Sequence, residues 1–133
     1  MGAAIETKVI DWSEEVEALY TQHLPHQDQA FMRRMIKLPN YKLLGVFNHG
    51  VLSCVFVVRI DEGVSGSDMS IFVGAGNVSG FDLTTYVLGT VDKMAQRLNC
   101  KNIYFNTRRE GLIHKATNCG FEYMETIMRK RVR

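Results

Sequence analysis

No lysine or arginine lies between Arg59 and Lys93, so the centre of the chain has no cation of its own to offer a phosphate. Proline is confined to Pro25 and Pro39, and no low-complexity run occurs, which argues against linkers and disorder. The three cysteines, Cys54, Cys100 and Cys119, contain no CxxC pair and leave one over. Neither a disulfide framework nor a redox motif is expected from them, and a reducing compartment fits best. Cys54, in an apolar strand, and Cys119, before a helix-ending glycine, read as small core residues. His114 and Cys119 form the one close His/Cys pair, with no zinc-like set of four around them, so no metal site is expected. No apolar run approaches the roughly 20 residues of a membrane span. Met1 to Glu6 has neither a basic start nor an apolar core of leader-peptide length. The expectation is a soluble, cytoplasmic protein with no membrane contact.

What is present matches an ordinary globular chain. With 133 residues, 46% apolar and 23% charged, it suits one domain (1–133) around one hydrophobic core. A net charge of +2 is too small to imply nucleic-acid binding by itself. The charge is unevenly spread: from Lys101 to Arg133, eight Lys/Arg stand against three acids. Such a basic third could meet a nucleic acid, an acidic partner or a phosphorylated cofactor, although solvated edge charges plus a basic tail are the plainer reading. Aromatics are not interleaved with these cations as RNA-binding sheets require.

Along the chain, Ile5 to Ile10 reads as a strand. Asp11 or Ser13 then caps a helix with Glu14 and Glu15 in its first turn and Val16, Leu19 and Tyr20 on its inner face. Pro25 ends that pattern. A second helix is predicted from Gln27 to Leu38, with Phe31, Met35 and Leu38 as its apolar line, stopped by Pro39-Asn40. Tyr41 to Phe47 and Val51 to Ile60 flank Asn48-His49-Gly50 as a hairpin. Val51 to Val58 is almost unbroken in apolar residues, as a strand buried on both faces is. Asp61 to Ser67 reads as the turn into the next strand.

The richest stretch runs from Ser70 to Phe121. An apolar strand (Ser70 to Val73) leads through the glycine loop Gly74 to Gly80 into a long amphipathic helix (Phe81 to Leu98). A strand (Asn102 to Asn106), a short helix (about Glu110 to Asn118) and the stop Gly120-Phe121 follow. The strand–helix–strand crossover is long enough to make its two strands parallel. A glycine loop at a helix N-terminus suits an anion, because the first backbone N–H groups have no partner inside the helix.

This succession resembles the GCN5-related N-acetyltransferase (GNAT) superfamily over nearly the whole chain. The resemblance implies an α/β (α+β) fold: a mixed central sheet of about six strands with four helices, in the order β-α-α-β-β-β-α-β-α-β. It implies acetyl-CoA as the acyl donor and an amine as the acceptor. The donor would be held by the backbone of Phe72, Val73 and Gly74 and by the loop, with Ser79, Gly80, Phe81, Asn106 and Arg109 around it.

Several residues depart from the family's pattern. In the phosphate loop only Gly80 matches; Phe81 and Leu83 stand where small residues are usual, and Asp82 would repel a pyrophosphate. Ser79 as N-cap with Asp82 three residues on reads as a near capping box that would itself satisfy the free amides. Counting back from Gly120-Phe121 places Arg109 at the family's Asn position, Leu112 at its Ala and Ala116 at the Tyr that serves as general acid. Alanine cannot donate a proton. Substitute donors or bases would be Tyr104 or His114 nearby, or His23 and His26 beside Pro25, all weak candidates as catalytic groups. His114 lies about 200° round a helix from Ala116 and should point away from it.

Family members commonly end in a two-strand hairpin, whereas only twelve residues follow Phe121 here, which fit one last strand from Phe121 to about Val132 or a very tight pair with no turn residues to mark it. Such an edge invites a protein partner or a second copy by strand addition. Small GNAT-like proteins with worn motifs also occur in tailed bacteriophages, some as virion components, and this short chain is similar to them. Three readings follow: a divergent N-acyltransferase; a non-catalytic scaffold for assembly, of the virion type; or a binding module that uses the basic third.

Overall fold

The computed structural model describes residues 4–107, 109–124 and 128–132. Strand β1 (Ile5–Val9) is followed by helices α1 (Glu14–His23) and α2 (Gln29–Met35), then by strands β2 (Tyr41–Asn48), β3 (Val51–Gly63) and β4 (Gly66–Gly76). Helix α3 (Leu83–Arg97), strand β5 (Cys100–Tyr104) and helix α4 (Glu110–Asn118) complete the described elements. The sheet has the order β1-β2-β3-β4-β5 and is antiparallel except for β4 and β5, which α3 connects in parallel. The mixed sheet, the four helices and the element order as far as α4 are as the sequence led us to expect.

Local chemistry accounts for the turns. Between β2 and β3 the chain reverses on His49 and Gly50, with φ of 50° and 79°. A two-residue hairpin needs this left-handed pair so that its twist matches the strands. Between β3 and β4 the structure departs from the expected Asp61 to Ser67 turn. The strands run on through the pairs Asp61↔Asp68, Glu62↔Ser67 and Gly63↔Gly66. Main-chain pairing holds this ribbon without apolar side chains, which is why periodicity did not reveal it.

β3 is buried from Cys54 to Val58, on both faces, and feeds two cores. On one face Cys54, Phe56 and Val58 meet Leu44, Val46, Met69 and the α3 residues Val91 and Ala95. On the other, Val55 and Val57 meet Leu43, Ala75, Val16 and Tyr20 of α1 and Met32 of α2. Each fully buried Val or Phe contributes about 1.5–3 kcal/mol, so these two layers dominate folding.

Further expectations need correction: β4 runs from Gly66 to Gly76, so Gly74 and Gly76 lie in the strand rather than in the predicted Gly74 to Gly80 loop, and the connection to α3 is residues 77–82. Helix α2 begins after Asp28, whose Oδ1 accepts from Phe31 N–H at 3.0 Å, and it buries Met32 rather than Phe31, which is 55% exposed. The inner line is Met32, Met35 and Ile36, one residue on from the predicted phase. Strand β5 starts two residues earlier than predicted, which leaves Asn106 in the loop beyond it. Cys119 is exposed rather than in the core.

The expected last strand is absent among the described residues. Residues 121–124 and 128–132 form no strand, and 125–127 lie outside the described residues. The helix stop explains the path. Gly120 (φ 93°) donates to the Thr117 carbonyl and Phe121 N–H donates to the Ala116 carbonyl at 3.0 Å, the double closure of a left-handed cap. Phe121 then meets Phe105, just beyond the end of β5, edge-on at 5.2 Å.

Candidate functional site

The site begins where β4 and β5 separate. Their pairing runs Asp68↔Asn102, Met69↔Ile103 and Ser70↔Tyr104, and ends there. β4 continues for residues 71–76, roughly 20 Å of strand at about 3.3 Å per residue. On its other side β4 stays bonded to β3, but Val57 pairs with Phe72 and Val55 with Ala75. One extra residue is therefore inserted around Val73 and Gly74. A bulge of this kind bends the strand and increases its twist. The result is a gap between two parallel strands, with the backbone edge of Phe72, Val73 and Gly74 facing it.

Gly76, the last residue of β4, sets the entry to the loop. Its φ is 139°, and a Cβ there would collide with the Ser53 carbonyl and the Cys54 backbone. The next amide, Asn77 N–H, donates to Ser53 O at 3.1 Å. Val78 is then buried, while Ser79 and Gly80 are exposed. Gly80 has φ 70° and open space around it. Phe81 lies against Tyr86 at 5.7 Å.

The helix cap differs from the predicted capping box. The N-cap is Asp82, not Ser79, and α3 starts at Leu83. Asp82 Oδ1 accepts from Thr85 N–H at 3.2 Å and Oδ2 accepts from the Thr85 hydroxyl at 2.7 Å. Leu83 N–H is taken by the Phe81 carbonyl. Part of the amide cluster a phosphate would use is thus already occupied.

Charge at this point comes from elsewhere in the chain. Lys115, on α4, places Nζ 3.0 Å from Asp82 Oδ1. The Thr85 hydrogen bonds, helped by Lys115, hold the Asp82 carboxyl down at about 2. Lys115 was missed in the sequence as a site residue. Its signal was its position next to Ala116, which faces inward on α4 at 4% exposure. A residue one step from the buried line sits at the flank of the helix contact and can reach the neighbouring cap.

The other expected residues scatter. Arg109 is the N-cap of α4, exposed, with its backbone N–H donating to Thr107 Oγ1 at 3.1 Å and no side-chain cap. Asn106 is exposed in the same connection. Tyr104, 43% exposed, ends β5 opposite Ser70, at the point where the strands part. Of the four catalytic candidates it is the one placed at the gap by its strand. His23 closes α1, His26 lies in the loop before α2, and both are exposed. His114 is exposed on α4. Ala116, which the resemblance set at the general-acid position, is buried at 4% exposure.

The residues present fit an acyl-CoA in part. The main-chain edge of β4 and the exposed glycine at 80 suit it. The α3 amides suit it less, because Asp82 holds one and Phe81 O another. Among the described residues no group of three or more His, Cys, Asp and Glu side chains stands ready for a metal ion, and no helix is long and apolar enough to cross a membrane.

No protein-family model matches the sequence, and no curated protein matches it either. Solved structures do. A ribosomal-protein-alanine N-acetyltransferase from Brucella melitensis biovar Abortus superposes with a TM-score of 0.73 at 13% identity, covering 98% of this chain and 99% of that one. AAC(6')-Iy, solved in complex with the bisubstrate analogue CoA-S-monomethyl-acetylneamine, gives 0.73 at 16% identity over 98% and 99% of the two chains. Glucosamine-6-phosphate N-acetyltransferase from Arabidopsis thaliana gives 0.71 at 13%, over 98% and 100%. At such identities the likeness speaks for the fold, and activity is a separate question. From the crossover, the parted strands and these full-length superpositions, the chain has a divergent GNAT fold.

Proposed function

We propose that this chain is a divergent N-acyltransferase that moves an acetyl group from acetyl-CoA to an amine. One observation carries the reading: β4 parts from β5 after Ser70, bulges at Val73–Gly74 and runs into a glycine loop at the N-terminus of α3. In this reading the β4 edge pairs with the amides of the donor's arm, as an added strand would. Lys115 exchanges Asp82 for phosphate, and Arg109 adds charge from the start of α4. The amine nitrogen attacks the thioester carbonyl carbon; the C–N bond forms, the C–S bond breaks, and the nitrogen's surplus proton passes to water. The thiolate takes its proton from solvent or from Tyr104, since residue 116 has none to give. Rate then comes mainly from holding the two reactants in line.

The test is titration calorimetry of acetyl-CoA against wild type and Gly80→Glu. Position 80 has open space, so the glutamate adds charge without a clash, at the strain of a left-handed φ. Binding at tens of micromolar or tighter (about −6 kcal/mol) that is lost in the variant supports the reading. No binding at millimolar donor removes it.

A second reading rests on Ala116 and on the occupied α3 amides: a GNAT scaffold kept for contacts, of the virion type or another assembly. Met124, Met128 and Val132 are exposed apolar groups in the segment Phe121 to Val132 that such a partner or a second copy would cover. A stable oligomer by light scattering, together with no acetyl-CoA binding, would favour it.

A further inference from the structure

On the opposite face of the gap from α3, the structure holds an arginine unusually well. Arg59 on β3 pairs with Tyr41 of β2 and with Ser70 of β4, the last β4 residue bonded to β5. It is therefore level with the mouth of the gap. Its guanidinium carbon lies 4.8 Å over the Phe72 ring, and Phe72 in turn meets Tyr41 at 6.4 Å. Nε–H donates to Asp61 Oδ2 at 2.9 Å. Hydrogen bonding to the Tyr41 side chain and then to Asp61 keeps the group charged. Phe72 and Tyr41 belong to the core layer of α1 and α2, so this arginine stands on the face away from α3 and Lys115.

We propose that Arg59 determines acceptor specificity by binding a carboxylate on the acceptor amine. The proposal rests on the transferase reading above. With the phosphate end of the donor on the α3 side, the acceptor approaches from the α1–α2 side, where Arg59 is presented. The side chain remains 33% exposed, so it is reachable. Asp61 takes the Nε–H, the Tyr41 side chain engages the group as well, and the Phe72 ring beneath it restrains the N–H donors that remain. A guanidinium so restrained is suited to a two-bond grip on a carboxylate, which a lysine cannot reproduce. A purely structural role would leave Arg59 as a strap between β3 and β4, and the experiment separates the two.

Amines are compared in pairs, each as the free carboxylate and as its carboxamide, with glycine/glycinamide and β-alanine/β-alaninamide as probes and aminoethyl phosphate as a third arm. Acetyl transfer by the full chain is read as thiol release. Binding without acetyl-CoA is read from the Arg59 Nε–H resonance, and acetyl-CoA affinity is titrated separately. We expect at least a tenfold lower KM for the carboxylates than for the amides, with kcat within threefold. In Arg59→Gln that preference disappears, acetyl-CoA affinity stays within twofold, and Arg59→Lys recovers less than half of it. Equal KM values within pairs, or a preference that survives Arg59→Gln, overturns the proposal. A tighter grip on the phosphate arm than on either carboxylate overturns the carboxylate assignment. If acetyl-CoA binds but no amine is acetylated, the Arg59 resonance decides: no shift with glycine beyond that with glycinamide overturns it. Failure of acetyl-CoA to bind strikes the transferase reading instead, and leaves the same resonance to judge the anion site alone.

Discussion

Lys115 of α4 reaches across to Asp82, the cap of α3, at 3.0 Å, and so joins the last described helix to the glycine loop. The pair is exposed, and its consequence is a titration. With the folded carboxyl at about 2 and an unfolded aspartate near 3.9, stability from this cap is present above pH about 4 and is lost as pH falls through about 2. Carboxyl NMR of Thr85→Val and Lys115→Met should show Asp82 moving up toward the ordinary range, further in Thr85→Val. The difference in stability between Lys115→Met and wild type should close below pH 2. An unmoved Asp82 resonance in both variants would contradict the cap geometry.

Gly76 and Gly80 both have positive φ but differ in surroundings. Gly76→Ala drives a methyl into Ser53 and Cys54 backbone, whereas Gly80→Ala meets open space. Urea unfolding should show a loss of roughly 3 kcal/mol or more for the first, a large value in the range of single substitutions. The second should lose about 1 kcal/mol, the strain of a left-handed alanine. Equal losses would mean that the β3–loop contact is not as close as described.

The phase of α2 can be checked by truncation. Met32→Ala empties a buried site on α2 and should cost about 2–5 kcal/mol. Phe31→Ala should stay within about 0.5 kcal/mol, because its ring is mostly in solvent. A large loss at Phe31 would return the helix to the phase expected from the sequence.

Ala116→Tyr would place a phenol at the family's acid position, but that position is closed. The substitution should destabilise by about 1–3 kcal/mol through overpacking and leave thiol release from acetyl-CoA no faster than in wild type. A rate gain of tenfold with unchanged stability would show that the site can open.

Thiol labelling separates the cysteines. Cys119 is exposed and should react in the native protein, whereas Cys54 should react only on unfolding. Burial pushes the Cys54 thiol up to about 11, which removes the reactive thiolate at neutral pH.

The fold was legible wherever period and punctuation agreed. Val51 to Val58 announced a strand buried on both faces, and His49-Gly50, Asn99 and Gly120 all stand at the left-handed positions that turns and helix ends require. What stayed hidden depended on contacts distant in sequence or on backbone alone. Lys115 serves a cap 33 residues away. The Asp61–Ser67 ribbon is held by main chain, and Phe121 packs against Phe105 across the last turn of the described helices. Asp82 was misplaced by one capping register because Ser79 and Asp82 are both good caps, and Thr85 decides between them by offering Asp82 both its amide and its hydroxyl.

The free edge of β4 beyond Ser70 has a consequence for how far the sequence can vary. Peptide groups are identical whatever side chains they carry, so an edge made of them is set by the strand order rather than by a motif. Substitution can change the lettering of the loop and leave the gap standing. Chains that share this feature are better sought by looking for two parallel strands that part than by matching consensus residues.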